Sequence, residues 1–312
     1  MIKRILELII ILLGVSILSF VLSNISTVDP AEAYARRSIV NPSEEKIAEI
    51  RNEMGYNKPL FLQYFKWLGN CIKGDLGVSL ITQNPVMKDI SKKLIATLTI
   101  VGIAFIWIIV ITIPLSIISA TRKNGLVDYI VRGISIFGIS LPSFWLGFIL
   151  LVLFAINMPI FKVVDFGNFR SIILPSITLA IPIISSSVRV LRGTIISNLN
   201  KDYVLYARAR GITMKQIVWK HVLKNSIPPI ITLFFQNIGF MIGGSAIVES
   251  VFSWPGLGMY LVNAIIGRDL PAINGCVLVI AIIFVICNLI AEIINGILNP
   301  NMKNSKEVEN YG

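Results

Sequence analysis

The chain has 312 residues, of which 55% are hydrophobic and only 14% charged, and its mean hydropathy is +0.78. That balance excludes a soluble globular domain, whose surface must be covered with charge, and makes the bilayer the solvent. A net charge of +11 would raise nucleic acid as a partner in a soluble protein; here basic residues kept on the cytoplasmic face account for it, and no nucleic acid is expected.

The first predicted element is an apolar run at 5–24 behind Lys3 and Arg4. It is longer than the core of a typical secretory signal, and no A-x-A-like site follows, so it reads as a retained first span. Residues 25–94 form one large external segment with near-balanced charge. Within it, Ser43 can cap a helix that opens with Glu44 and Glu45, has Ile47 and Ile50 among its apolar positions, and can stop at Gly55. A second stretch, Leu60 to Ile72, places Phe61, Tyr64, Phe65, Leu68 and Ile72 on one side, a face that buries against a neighbour or lies along the membrane surface.

Further apolar runs near 95–120, 134–156, 172–191, 229–252 and 276–298 bring the total to six spans, five of them in a core at 95–298, with a tail at 299–312. The fold class is therefore all-α and membrane-spanning. Pro114, Pro142 and Pro182 lie inside apolar runs and imply bends in a packed bundle. Arg122, Lys123 and Arg132 occupy one short loop, and eight cations from Arg189 to Lys224 crowd another, whereas the opposite loops carry Lys162, Arg170 and Arg268. The positive-inside rule makes the first set cytoplasmic, together with both termini, in a multi-pass protein of the cell membrane.

The cytoplasmic segment 192–228 is the most informative part of the chain, above all the stretch NKDYVLYARARGITMKQIVWKHVLKNSIPP. Asp202 can cap a short helix ending near Arg208 and Arg210, with Gly211 supplying a left-handed turn. Thr213 and Gln216 then have capping-box spacing, so a second short helix starts at once, with Met214, Ile217, Val218 and Val222 as its apolar side and Pro228 and Pro229 as its end. Such a knob can transmit force from a soluble partner. An ordinary basic loop lying on anionic lipid would explain the charge but not the helix, glycine and capping box in succession.

Here the chain resembles the inner-membrane permeases of the peptide and nickel branch of ATP-binding-cassette importers. The resemblance rests on Ala207, Gly211, His221, Leu223 and Asn225 in the cytoplasmic loop, and on GDLGVS at 74–79, Pro85-Val86, SLPSFWLG at 140–147 and VESVFSWPGLG at 248–258. Leu205 and Tyr206 depart from the glutamate and alanine common in the wider superfamily. The family implies a chain that forms half of a channel. Its coupling residues, Ala207, Arg208, Arg210, Gly211, Thr213, His221, Leu223 and Asn225, would dock on a separate ATPase. The implied partners are a second permease, two ATPase subunits and an external binding protein. No G-x-x-x-x-G-K-[ST] loop is present, so the chain is expected to be non-catalytic and to bind no cofactor, the ATP being used by its partners.

Polar groups in or beside spans are candidates to line the channel or gate: Ser140, Ser143, Ser185, Ser186, Ser187, Gln236, Asn237, Glu249, Asn288 and Glu292. Hydrogen bonding between packed helices is the alternative for the serines and amides, and Gly239, Gly243 and Gly244 favour close helix contact. Glu249 and the following Phe252, Trp254, Pro255 and Gly256 read as a turn near the external gate. His221, the only histidine, is assigned packing or hydrogen bonding, and Cys71, Cys276 and Cys287 show no metal or disulfide spacing, so no metal site is expected.

DPAEAYAR at 29–36 and KPLFLQYFKWL at 58–68 look closest to the nickel-permease branch, making nickel or a nickel chelate the first expectation for cargo and dipeptides or oligopeptides the second. The spans offer no imidazole or clustered thiolate that a bare nickel ion prefers. A channel or secondary transporter would show an inverted repeat or a charged midplane relay, and a membrane enzyme a nucleophile and base; neither pattern is evident.

Overall fold

The computed structural model describes residues 2–24, 29–162 and 166–298. The expected tail at 299–312 and the side chains of Lys3 and Arg4 lie outside the described residues. In chain order the helices are α1 (Ile2–Asn24), α2 (Pro30–Ser38), α3 (Glu44–Glu53), α4 (Leu60–Ile72), α5 (Val86–Thr121), α6 (Leu126–Ser140) and α7 (Ser143–Leu151). They continue as α8 (Phe169–Leu199), α9 (Asp202–Ala209), α10 (Met214–Ile217), α11 (Leu223–Val251), α12 (Leu257–Ile266) and α13 (Leu270–Leu298). Among the described residues five helical stretches are each long and apolar enough to cross a membrane, and a sixth is reached if the pair begun by α6 and α7, bent by 104°, counts as one span.

The spans are longer as helices than as apolar runs, most clearly in three cases. The helix expected from 95 begins at Val86, that expected over 172–191 covers Phe169–Leu199, and that expected from 276 begins at Leu270. Apolar composition marks the part that crosses hydrocarbon, whereas backbone hydrogen bonding continues through polar flanks such as Lys88, Asp89, Lys92 and Lys93.

The prolines divide by position. Pro114 and Pro182, with Pro175, are carried inside α5 and α8. Pro142 instead marks the sharp break, because a residue before proline is pushed out of the helical region, and Leu141 is extended at φ −81°, ψ 127°. Pro228 and Pro229, expected to end the second cytoplasmic helix, lie inside α11. The carbonyls they deprive of a donor belong to Lys224 and Asn225, both exposed near the start of that helix, where water can satisfy them.

The chain forms two compact units, Met1–Leu98 with Ser253–Val285 and Thr99–Phe252 with Ile286–Gly312. In the first, Asp29 caps α2 by accepting from the Ala31 amide, Ser43 caps α3 by accepting from Lys46 N at 3.3 Å, and Gly55 ends that region at φ +75°. Ala31 and Ala35 of α2 pack on Ile47 and Ile50 of α3. The helix α4 meets α1 through Tyr64 and Trp67, whose rings lie 5.5 and 5.8 Å from Phe20. Of the face expected on α4, Phe61, Phe65 and Ile72 stay exposed, while Tyr64 packs on α1 and Leu68 is half-buried.

The GDLGVS motif is a latch. Asp75 Oδ1 accepts from Gly77 N at 2.8 Å, Gly77 turns at φ +86°, and Ser79 Oγ then donates to Asp269 Oδ2 at 2.5 Å. Asp269 is fully buried and also accepts from the Ile81 and Ala272 amides. A carboxylate so enclosed needs these donors to offset the loss of water.

In the second unit α8 packs on α6, α7 and α11. Close approach occurs at Gly138, where an added Cβ would lie 2.2 Å from Ser185 Oγ, and at Gly147, where it would lie 3.1 Å from Phe252. Gly244, expected to serve that purpose, would meet nothing within 4 Å.

Candidate functional site

The segment between α8 and α11 folds into the expected knob, with a different base. Helix α9 opens with Asp202 in its first turn and Lys201 at the cap position, so Asp202 favours the helix dipole without capping it. Arg208 closes α9, and Gly211 turns the chain at φ +77°. Thr213 and Gln216 form the capping box of α10, with Thr213 N donating to Gln216 Oε1 at 3.4 Å. Instead of stopping, α10 runs through a π-helical turn, Val218–Val222, into α11. The second arm of the knob is thus continuous with a membrane span.

Burial sorts the residues of the loop. Val204, Ala207, Ile217, Val218, Val222 and Leu223 turn inward and hold the knob together. Arg208, Arg210, Gly211, Thr213, His221 and Asn225 are exposed. Leu205 and Tyr206 are 67% and 70% exposed, and Met214 and Trp219 are exposed as well. Large apolar side chains on the outside of a basic loop form the kind of patch that a protein partner covers.

Two groups of residues that the sequence does not single out fix this knob to the spans. At its neck Asn198, near the end of α8, donates through Nδ2 to Ser226 Oγ of α11 at 3.0 Å and accepts from Tyr203 OH of α9 at 3.3 Å. Ser226 in turn donates to Val222 O at 2.8 Å. Two turns up α8, Arg192 grips Asp128 of α6 with two parallel bonds, Nε to Oδ1 at 2.6 Å and the terminal nitrogen to Oδ2 at 2.7 Å. Ser119 Oγ and the Asn124 amide add donors at 2.5 and 2.9 Å, and the Asp128 side chain is fully buried. A two-toothed guanidinium grip of this kind fixes direction as well as distance, so α5, α6 and α8 are joined beside the knob. Arg192 appears in the sequence only as one of several loop cations.

The expected channel residues do not form one cluster. Ser140 and Ser143 flank the 104° break at Leu141 and Pro142, with Ser140 Oγ donating to Ile136 O. Broken helices at membrane depth leave backbone groups to be satisfied by protein or by a water-filled path, which keeps this pair in contention as channel lining. Gln236 is exposed on α11 and Asn237 half-buried. Glu249 is fully buried and accepts from Ser245 Oγ at 2.9 Å. Trp254 belongs to the first unit, is buried, and donates through Nε1 to Ala96 O of α5 at 2.9 Å, while the Leu257 amide donates to Thr97 Oγ1 at 2.8 Å. Trp254 thus anchors the turn that follows α11. Ser185 and Ser187 are buried in the helix packing of α8. Among the described residues no group of three or more His, Cys, Asp or Glu side chains is placed to hold a metal ion.

Residues 112–304 match the family described as binding-protein-dependent transport system inner membrane component, and residues 1–101 match its N-terminal companion. The oligopeptide transport system permease protein AppB of Bacillus subtilis (strain 168) is 34% identical, across 97% of this chain and 98% of that protein. The glutathione transport system permease protein GsiC of Escherichia coli (strain K12) is 32% identical over the same shares. Among solved structures, an inward-facing MetNI methionine ABC transporter aligns with a TM-score of 0.58 at 18% identity, covering 68% of this chain and 97% of that one, which shows a shared fold. With the family matched over most of the chain and both permeases aligned nearly end to end, this multi-pass protein belongs to the inner-membrane permease components of binding-protein-dependent ABC importers.

Proposed function

We propose that this permease subunit carries short peptides inward, and that the knob at 200–229 is where a separate ATPase drives it. The observation that supports coupling is the exposed pair Leu205 and Tyr206 on α9, set on a knob whose second arm runs unbroken into a span. The non-catalytic role follows, with ATP hydrolysis in partner subunits. A second permease would complete the channel and an external binding protein would deliver cargo. Ser140 and Ser143 at the break in α6 and α7 are the side chains we place nearest the translocation path, with Gln236, Asn237 and Glu249 behind them.

Nickel or a nickel chelate, first in the reading from sequence, gives way to peptide. The relatives above are named for oligopeptide and glutathione transport, and the described residues gather no ligand set of the kind nickel prefers. Uptake of a labelled tripeptide and of labelled nickel, in cells with and without the gene, separates the two. Loss of tripeptide uptake alone is the expected result; loss of nickel uptake alone would restore the nickel reading.

Orientation is part of the proposal, with both termini and the knob cytoplasmic. In a chain stripped of its native cysteines, Asn57→Cys should react with a membrane-impermeant maleimide in intact cells, and Lys215→Cys only after permeabilisation. The reverse pattern would invert the topology.

A further inference from the structure

A cavity of about 170 Å³ opens in the first unit between the outer end of α1, the first turn of α13 and one side of α4. Its polar lining holds donors together with the Asp75 carboxylate, whose Oδ1 already accepts from Gly77 N. Trp67 Nε1 is buried there without a hydrogen-bond partner among the described residues. Lys58 and Lys66 stand at the same cavity, and neither forms an ion pair among the described residues. Asn274 Oδ1 already accepts from Ser19 and Ser23, at 2.8 and 3.2 Å, which leaves its amide nitrogen as the group able to donate. Burial, with the Asp269 and Asp29 carboxylates nearby, pushes the Tyr56 hydroxyl at this cavity up to about 12, so it stays neutral at physiological pH. A buried indole N–H left unpaired is destabilising, a cost that an acceptor entering the cavity would remove.

The surroundings say where that acceptor comes from. Helix α4 packs against the apolar body of α1, with Tyr64 OH 2.8 Å from Ser16 Oγ and both Tyr64 and Trp67 on Phe20. On the neighbouring side Phe61, Phe65 and Ile72 are 61%, 64% and 81% exposed. A helix laid along a membrane span with an open aromatic and aliphatic stripe, and lysines at its edge, has the pattern of one seated at the lipid interface. The cavity holds a single headgroup and is too small for a peptide several residues long, since drug-sized sites run to about 300–1,000 Å³.

We propose that this cavity binds the phosphate of an anionic phospholipid, with Trp67 Nε1 and the Lys58 and Lys66 ammonium groups as donors and the acyl chains running along the α4 stripe. The site is separate from the cytoplasmic knob and does not depend on its role. The test is native mass spectrometry of the full-length chain, purified in detergent and offered an equal mixture of phosphatidylglycerol and phosphatidylcholine. The wild-type chain should retain phosphatidylglycerol in about tenfold preference, the ratio that one charge-assisted bond supplies. Trp67→Phe keeps the ring on Phe20 and should lower retention of both lipids, since the indole bond reaches a phosphate that both carry. The paired Lys58→Gln and Lys66→Gln variant should abolish most of the preference, and it carries the test if the indole change impairs folding. Equal retention of both lipids by the wild type, or a preference unchanged in the paired lysine variant, would overturn the site. Displacement of phosphatidylglycerol by trialanine would overturn it too, by making the occupant a peptide carboxylate.

Discussion

Arg192→Ala should remove about 3–5 kcal/mol of stability, because it leaves the fully buried Asp128 carboxylate without its counter-charge. The Ser119 and Asn124 donors remain, yet neither carries charge. Thermal unfolding of the detergent-purified chain would show a lower midpoint, and less of the variant would accumulate in membranes. Asp128→Asn combined with Arg192→Met removes both charges, keeps the volumes close and leaves Ser119 and Asn124 an acceptor, so the double variant should recover most of the loss. A single variant that melts with the wild type would mean that the pair does not hold α6 to α8. The same comparison can be read out in transport. If the grip carries motion, the double variant regains stability but not the coupling of ATP hydrolysis to uptake.

The second large effect concerns Gly211. A valine at φ +77° is a strained, β-branched residue in the left-handed region, at a cost of about 1–3 kcal/mol. An added Cβ would meet nothing within 4 Å, so the cost is one of backbone conformation alone. We expect Gly211→Val to tilt α10 away from α9 and to cut peptide uptake by about tenfold, while the assembled complex still hydrolyses ATP. Gly211→Asn, which tolerates the left-handed region, should stay near wild type. Normal uptake in the valine variant would sink the coupling assignment; equal loss in both would point to the surface of the turn instead of its angle.

Which parts of this molecule can be read from sequence depends on how far apart the partners lie. Ser43, Glu44, Ile47, Ile50 and Gly55 specify α3 within a dozen positions, and Thr213 with Gln216 does the same for α10, so caps and turns were legible. The prolines were half legible. Pro142 and Pro228 look alike in sequence, but one breaks a span while the other rides inside a helix, and only the position of the freed carbonyls distinguishes them. The candidate site was legible as a shape and not as an anchored device. Asp128 and Arg192 are 64 positions apart, and Asn198 and Ser226 are 28 apart across the knob; nothing local marks either pair. Trp254 shows the same limit, since an aromatic in a turn suggests a gate while its indole bond to Ala96 spans 158 positions.

The Ser79 to Asp269 latch bears on the order of assembly in the living cell. These residues lie 190 positions apart, so at the usual pace of synthesis of about 5–20 residues per second, Asp269 leaves the ribosome about 10–40 s after Ser79. Residues 99–252, by contrast, are one uninterrupted stretch that holds α6, α7 and α8 together with α11. During translation the middle of the chain can close first, while the oldest part waits, partly unfastened, for one of the last helices to arrive.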